Sequence, residues 1–217
     1  MITGSDARLK GSPMSTSSTP VNHHGGQPGF AGPIGLVAGL AMLVSGRAAA
    51  GLAADLASVS EADRLVDIGC GPGNAVRAAA RRGARVTGVD PAPVMLRLAR
   101  ALTRDRPGIT WIQGAAEDLR LPDGSATVVW SLATVHHWQD VAAGLAEIQR
   151  VLSPGGRFLA IERRVRPGST GLASHGWTDQ QAESFAAQCR AAGFNDVRIA
   201  AYTPRRRALK VVTAIRP

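Results

Sequence analysis

From residue 61 onward the chain alternates between short runs of aliphatic residues and longer stretches with apolar positions at helical spacing. The short runs predict seven strands, at residues 64–68, 85–89, 110–113, 127–131, 157–161, 197–202 and 207–214. The longer stretches predict four helices, at residues 74–82, 93–103, 141–152 and 179–192. This alternation is typical of a parallel sheet with helices on both faces. We therefore predict an α/β three-layer sandwich with a seven-stranded, mostly parallel sheet.

Three boundaries are predicted from local chemistry. Thr178 and Gln181 have the spacing of a capping box, and Gly193 stands where a helix commonly ends in a left-handed residue. The run 154–156 of proline and two glycines is expected to stop the third helix before the fifth strand. Only a short turn around Thr203 separates the last two strands, so the last strand must be antiparallel to its neighbour.

The amino-terminal part of the chain has a different composition. Gly, Ser, Thr, Pro and Asn dominate residues 3–28, with no hydrophobic period. Residues 1–32 are therefore predicted to be a flexible tail, and residues 33–217 a single domain. Met14 is an alternative translation start within this tail. The pair His23 and His24 is a weak metal signal in a flexible segment, so no metal site is predicted.

The most hydrophobic run of the chain covers residues 34–44. It is shorter than the 20 or so residues that a bilayer core requires, so a membrane span is not expected. Ala48 to Ala50 resemble a signal cleavage site, but the run begins more than about thirty residues into the chain, which disfavours export. We expect a helix that continues to Leu56 and packs as a cover on the domain, in a cytoplasmic protein.

The chain carries a formal net charge of +9, nearly all of it from arginine. Such a charge would ordinarily suggest an anionic partner. Ala and Gly are abundant as well, as in proteins of GC-rich genomes, and that composition explains the charge without a partner. The two cysteines, Cys70 and Cys189, are too few for a disulfide framework or a zinc site, so they are read as small buried residues.

Three glycines follow the first predicted strand directly. Residues 64–68 have the composition of a buried strand, and Gly69, Gly71 and Gly73 allow the backbone to turn sharply beside a ligand. The predicted helix 74–82 would then point its amino-terminal amides at that ligand. The pattern therefore predicts a binding site for a nucleotide-sized molecule.

The details of the loop disfavour a dinucleotide. A nicotinamide or flavin fingerprint needs a small residue at position 74, where Asn74 stands, and Gly73 comes one place early. The carboxylate of Asp67 would also repel a pyrophosphate, whereas it suits an ammonium or sulfonium group.

Residues 66–73 resemble motif I of the class I S-adenosylmethionine-dependent methyltransferases, and residues 85–90 resemble the strand and acid that follow it in that family. The resemblance implies a Rossmann-like fold, S-adenosylmethionine as cofactor and methyl transfer as the activity. By the same resemblance Asp67 lies near the cofactor's amino group, the loop underlies its methionine part, and Asp90 holds the ribose hydroxyls. The backbone at Ser131 receives the methionine ammonium. The implied cofactor residues are Asp67, Gly69, Cys70, Gly71, Gly73, Asp90, Pro91, Ala116, Glu117 and Ser131.

The adenine contact is less well defined by the sequence. Ala115 stands where family members commonly carry a polar residue, so the adenine amine must bond to Glu117, Asp118 or the backbone. His136 and His137 are candidates for a general base, since imidazole titrates near neutrality. The competing interpretation is that they pack the loop after the fourth strand. Methyl transfer needs mainly alignment of the acceptor, so a base is optional.

The acceptor class is inferred from what the chain lacks and from its apolar segments. Residues 131–134 lack the proline and aromatic cluster with which nucleic-acid methyltransferases stack a base, so a nucleic acid is not the expected partner. A small or lipid-like acceptor is expected between the amino-terminal helix and residues 163–177, beside Phe30, His175 and Trp177. The protein is expected to be a monomer or homodimer. A non-catalytic cofactor sensor and an RNA methyltransferase remain alternatives.

Overall fold

The computed structural model describes residues 19–25, 39–40, 42–43, 46–104, 106–204 and 207–217. The elements within them are, in chain order, α1 (Arg47–Leu56), β1 (Arg64–Ile68), α2 (Asn74–Ala80), β2 (Arg85–Asp90), α3 (Pro93–Leu102), β3 (Ile109–Gln113), β4 (Ala126–Leu132), α4 (Val141–Val151), β5 (Leu152–Arg163), α5 (Asp179–Ala191), β6 (Asn195–Tyr202) and β7 (Leu209–Ile215). Two short 3-10 helices lie at Val135–His137 and Gly171–Ser174.

The seven strands form one sheet in the order β3-β2-β1-β4-β5-β7-β6. All neighbours from β3 to β5 are parallel, and β7 is antiparallel to both β5 and β6. The predicted fold class is thus confirmed. The strand order reverses between β1 and β4, and ligands of open α/β sheets bind at the carboxyl ends of such strands.

Alternation along the strands builds a core on each face of the sheet. In β1, Val66 and Ile68 belong to one buried cluster and Leu65 belongs to the other. In β4, Val129 belongs to the first of these clusters and Trp130 to the second. Because side chains alternate across a pleated strand, these short apolar runs supply both cores at once.

The predicted boundaries hold within a few residues. The capping box of Thr178 and Gln181 is present at the start of α5, and Gly193 has a φ of +90° just after its end. The largest difference is at β5, which begins at Leu152, directly after α4. The run 154–156 therefore does not separate the helix from the strand as expected. It lies inside an irregular first part of β5, where the register to β4 shifts between Ala126 and Val128.

Residues 19–25 differ from the predicted tail, because they form turns that pack against the domain. Val21 is 2% exposed and lies in the core, and its carbonyl accepts a hydrogen bond from Trp177 Nε1 at 3.0 Å. Gln181 Nε2 donates to the carbonyl of Pro20 at 2.9 Å. The composition of this segment, rich in small polar residues, did not indicate this docking. Val21 is the apolar side chain that anchors the segment in the core. The rest of the predicted tail lies outside the described residues.

Part of the predicted hydrophobic helix is described. Residues 39–40 and 42–43 are helical, Gly46 forms a turn, and α1 follows. Asn74 Nδ2 donates to the carbonyl of Met42 at 2.7 Å, so this segment contacts the first residue of α2. Of the helices that can be described, none has both the length and the apolar character needed to span a membrane.

Candidate active site

The glycine loop connects β1 to α2 through three residues in the left-handed region. Gly69, Gly71 and Gly73 have φ values of +69°, +52° and +79°. Side chains other than hydrogen are strained there, which explains the residue type at all three positions. The amides of Gly69 and Cys70 both donate to the carbonyl of Val89, at 2.8 and 3.0 Å. The end of β2 thereby fixes the start of the loop.

The three glycines do not have the same surroundings. A Cβ at Gly69 would lie 2.4 Å from Thr134 Cγ2, and one at Gly73 would lie 2.4 Å from Trp111 Cη2. Both positions are therefore closed by the protein itself. Among the described residues, a Cβ at Gly71 would come within 4 Å of Met42 Sδ alone, at 3.9 Å. Gly71 thus faces room that a ligand can occupy.

Asp90 ends β2, as predicted, and is 6% exposed. The Gly71 amide donates to its Oδ2 and the Ala92 amide to its Oδ1, both at 2.8 Å. Each carboxylate oxygen has two lone pairs, so both can still accept a ribose hydroxyl. Burial raises the pKa of Asp90, and these two amide bonds act in the opposite direction. Asp90 therefore organises the loop as well as facing the expected ribose position.

Asp67 lies at the end of β1 with only 2% of its surface exposed. Burial, and secondarily the nearby charge of Asp90, raises the pKa of Asp67 to about 8. Its Oδ2 makes no hydrogen bond to any atom of the described chain. A buried carboxylate oxygen left in this way is costly, and a cationic ligand group would relieve it. This observation fits the positive charge of S-adenosylmethionine.

A hydroxyl pair joins the ends of β1 and β4. Ser131 Oγ and Thr134 Oγ1 lie 2.6 Å apart, and Thr134 Oγ1 donates to the carbonyl of Ile68 at 3.1 Å. Ser131 is fully buried, and Ala133 between them has a φ of +57°. Thr134 thus anchors the loop after β4 against the glycine loop.

The other predicted cofactor residues lie in the loops at the carboxyl ends of β1, β2 and β3. Cys70 is buried, and burial raises the pKa of its thiol well above the usual value, so it is a packing residue rather than a nucleophile. Pro91 is exposed directly after Asp90. Ala116 is buried in the turn after β3. Glu117 Oε1 accepts the amides of Gln139 and Asp140, at 2.8 and 3.1 Å, so that oxygen supports the start of α4.

All five histidines of the chain lie together near the carboxyl ends of β4 and β5. They come from three stretches, at residues 23–24, 136–137 and 175. The ring centroids of His136 and His137 are 4.1 Å apart, and His175 lies 5.3 Å from each. The His24 ring stacks on His175 at 4.4 Å.

The two candidate bases have different environments. His136 is 2% exposed, and its Nδ1 donates to Glu162 Oε2 at 2.9 Å. Burial is the largest cause that lowers the pKa of His137, to about 3, and the neighbouring imidazoles act in the same direction. His137 is therefore neutral at physiological pH and a weak proton acceptor. The structure brings both residues to the carboxyl end of β4, as expected.

The prediction that Trp177 lines the acceptor pocket is wrong. Trp177 is fully buried in the core, with its ring 4.7 Å from Phe185, so it lines no pocket. The hydrogen bond to Val21 orients it inward, which its aromatic character alone could not indicate. The His175 ring lies 5.3 Å from those of His136 and His137, and Phe30 falls outside the described residues.

Several residues of the site were missed by the sequence analysis. Thr134 reaches it from the loop after β4, and Trp111 and Glu162 reach it from β3 and β5. Each acts through a partner distant in sequence, so no local motif marks it. An acid one residue before the end of a strand was the available signal for Glu162.

The sheet order, the glycine loop and the two buried acids resemble the fold and cofactor site of the class I S-adenosylmethionine-dependent methyltransferases. Residues 66–160 match the family described as methyltransferase domain. This match covers the glycine loop, both acids and the histidine pair after β4.

Two curated relatives share the central part of the chain. The demethylmenaquinone methyltransferase of Tropheryma whipplei is 34% identical over 110 residues, which is 51% of this chain and 46% of that protein. The malonyl-[acyl-carrier protein] O-methyltransferase of Serratia marcescens is 38% identical over 97 residues, 45% of this chain and 37% of that protein. The chain thus spans less than half the length of these relatives.

A solved structure extends the similarity to more of the fold. An S-adenosylmethionine-dependent methyltransferase from Mesorhizobium loti superposes with a TM-score of 0.62 at 25% identity. The superposition covers 76% of this chain and 95% of that one. Within the described residues, Asp67 Oδ2 has no hydrogen-bond partner and Gly71 has space beside it. Both observations are consistent with S-adenosylmethionine as the cofactor.

Proposed function

We propose that this protein transfers the methyl group of S-adenosylmethionine to a small or lipid-like acceptor. The observation that carries the proposal is the cofactor cradle, in which Gly71 faces open space while Asp67 and Asp90 are buried beside it. The glycine loop would hold the methionine part, Asp90 the ribose and Asp67 the ammonium group. Ala116 and Glu117 are proposed to lie at the adenine. When bound, the cofactor supplies an activated methyl group on a sulfonium.

The residues of the chain would then serve mainly to align the acceptor. Methyl transfer requires the attacking atom to lie in line behind the methyl group, so positioning contributes more than proton transfer. The histidines after β4 lie at the same edge of the sheet as the cradle and border the proposed acceptor side. His137 is poorly suited to accept a proton, because its pKa is lowered to about 3.

The two named relatives support a small acceptor and disagree on its identity. One is named for a demethylated menaquinone and the other for an acyl group on a carrier protein. Neither name refers to a nucleic acid. The acceptor proposed here is therefore apolar at least in part, and its attacking atom is left open.

The test is a transfer screen with methyl-labelled S-adenosylmethionine. Purified protein is incubated separately with lipid extract, small polar metabolites and RNA, and the labelled product is traced to one fraction. The matched control is Gly71→Val, which should lose transfer in every fraction. Label in the lipid or small-molecule fraction is the expected result. Label in RNA would replace the acceptor class, and cofactor binding without any transfer would favour a sensor.

A further inference from the structure

A histidine cluster lies at the carboxyl ends of β4 and β5. One nitrogen from each of His136, His137 and His175 can be chosen so that all three lie within 4.8 Å of one another. In a tetrahedral site with metal–nitrogen bonds near 2.0 Å, ligand nitrogens are about 3.3 Å apart. His137 lies in a short 3-10 helix and His175 in a loop, and both are half-buried. Rotation of their side chains can therefore bring the three nitrogens to the shorter distance of a metal site.

His136 carries the strongest evidence that the cluster binds something. Its Nδ1 donates to Glu162 Oε2 at 2.9 Å, in a pair that is 2% and 0% exposed. The carboxylate thereby fixes the ring and leaves Nε2 as the free ligand atom. That Nε2 is buried and has no hydrogen-bond partner within the described part of the chain. A nitrogen in this state needs a ligand to offset its lost hydration.

The pairing of histidine with a buried carboxylate is also the usual arrangement behind a metal ligand. Metal-bound imidazoles almost always donate their other nitrogen to a carboxylate, a carbonyl or water, which sets the tautomer and raises ligand basicity. The negative charge of Glu162 would partly balance a divalent cation. Arg163, the nearest guanidinium in sequence, is engaged with the carbonyls of Leu172, Ala173 and His175.

From this geometry we propose that His136, His137 and His175 form a site for a divalent metal of the zinc class, with Glu162 as the positioning residue behind His136. Three imidazoles are suited to Zn²⁺, Co²⁺ and Ni²⁺. Three protein ligands leave a position for water or for an acceptor oxygen, as in catalytic rather than structural zinc sites. The proposal is independent of the methyl acceptor, because metal binding can be measured without one.

His23 provides a matched control within the cluster. Its Nε2 bonds to the carbonyl of Ser174 at 2.9 Å and its Nδ1 lies 3.1 Å from Gln181 Nε2. Both ring nitrogens are thus already used by the protein. A glutamine at this position keeps polar character while removing an imidazole from the same neighbourhood.

The experiment titrates Co²⁺ into tag-free, chelator-treated protein and follows visible absorption, with Zn²⁺ competition by calorimetry. We expect one tetrahedral-type Co²⁺ per chain. Glu162→Gln should weaken the affinity by roughly 10- to 100-fold, and His175→Ala by roughly 100-fold or more. His23→Gln should leave it unchanged. Each variant is first checked for stabilisation by S-adenosylhomocysteine, so that loss of the fold is recognised.

Three results would overturn the site. Wild-type protein could show no stoichiometric Co²⁺ or Zn²⁺ binding. His175→Ala could retain wild-type affinity while still binding S-adenosylhomocysteine. Alternatively, His23→Gln could lose as much affinity as His175→Ala, which would move the binding to the amino-terminal pair. If His175→Ala does not fold, His137→Ala answers the same question.

Discussion

The Gly71 amide donates a 2.8 Å hydrogen bond to Asp90 Oδ2, so the residue expected to hold the ribose also holds the loop that cradles the methionine. The two halves of the cofactor are therefore coupled through one carboxylate. Loss of Asp90 should disturb both halves, whereas a residue that only bonded the ribose would affect one.

We expect Asp90→Ala to weaken binding of S-adenosylhomocysteine and to destabilise the loop. Loss of charge-assisted bonds to the ribose should cost about 2–4 kcal/mol, and the freed amide of Gly71 adds to this. Calorimetry gives the affinity and thermal unfolding gives the stability. Asp123→Ala is the control, since that carboxylate is 81% exposed and distant in the fold. An unchanged dissociation constant for Asp90→Ala would remove this residue from the site.

Gly71→Ala should abolish most cofactor binding at little cost to the fold. Of the described residues, the new Cβ comes within 4 Å of Met42 Sδ alone, so it is expected to occupy the volume of the ligand. Strain at a φ of +52° should cost about 1–2 kcal/mol of stability. Gly124→Ala introduces similar strain at +61°, also with free space around it, and should keep normal affinity. Equal binding by the two variants would contradict the proposed position of the ligand.

Binding of S-adenosylmethionine should release a proton from Asp67 near neutral pH. The pKa of this buried acid is raised to about 8 from an ordinary 3.8, so without cofactor it is largely protonated at pH 7. A cationic ligand favours the ionised form. The dissociation constant for S-adenosylmethionine should therefore fall as pH rises, by up to roughly tenfold per pH unit, until about pH 8. Calorimetry in buffers of different ionisation enthalpy measures the proton release. Asp67→Asn should lose it, while proton release that persists in this variant would assign it to another group.

The same shift predicts how stability depends on pH. Between about pH 4 and 8 the folded state keeps a proton on Asp67 that the unfolded state has lost, so the contribution of Asp67 to the free energy of unfolding decreases as pH rises through this window. His137 and His175, whose pKa values are lowered in the folded state, contribute in the opposite direction below about pH 6.5. The difference in unfolding free energy between wild type and Asp67→Asn isolates the Asp67 contribution and should decrease as pH rises. Denaturant unfolding of both proteins at several pH values provides the measurement. A difference that does not change with pH would show that Asp67 is ionised in the free protein.

Thr134→Val should loosen the connection between β4 and β1. Valine keeps the shape that packs against Gly69 but removes the hydroxyl that bonds Ser131 and the carbonyl of Ile68. A loss of about 1–3 kcal/mol of stability is expected, because both groups become buried without a partner. Thr134→Ser keeps the hydroxyl and should retain most of the stability. Denaturant unfolding of the two variants decides between hydrogen bonding and packing as the role of Thr134.

The features that could be predicted from the sequence are those that depend on local patterns of residues. Residues 64–73 specify their strand, turn and ligand class within ten positions, and Asp90 follows from the next strand. The histidine cluster could not be predicted, because His175 comes from a separate stretch of the sequence and meets His136 and His137 only in the fold. Val21 and Trp177 were misjudged for the same reason, since a single long-range contact determines the burial of both.

The docking of residues 19–25 also affects the order in which parts of the chain can fold. Their hydrogen-bond partners include residues 138, 174, 177 and 181, between 116 and 161 positions later. During synthesis this segment leaves the ribosome well before α5, and the surface that receives it exists only after α5 has been made. Such distant contacts close slowly, since a long loop must be ordered first. Residues 19–25 are therefore translated long before the partners that hold them in their native place.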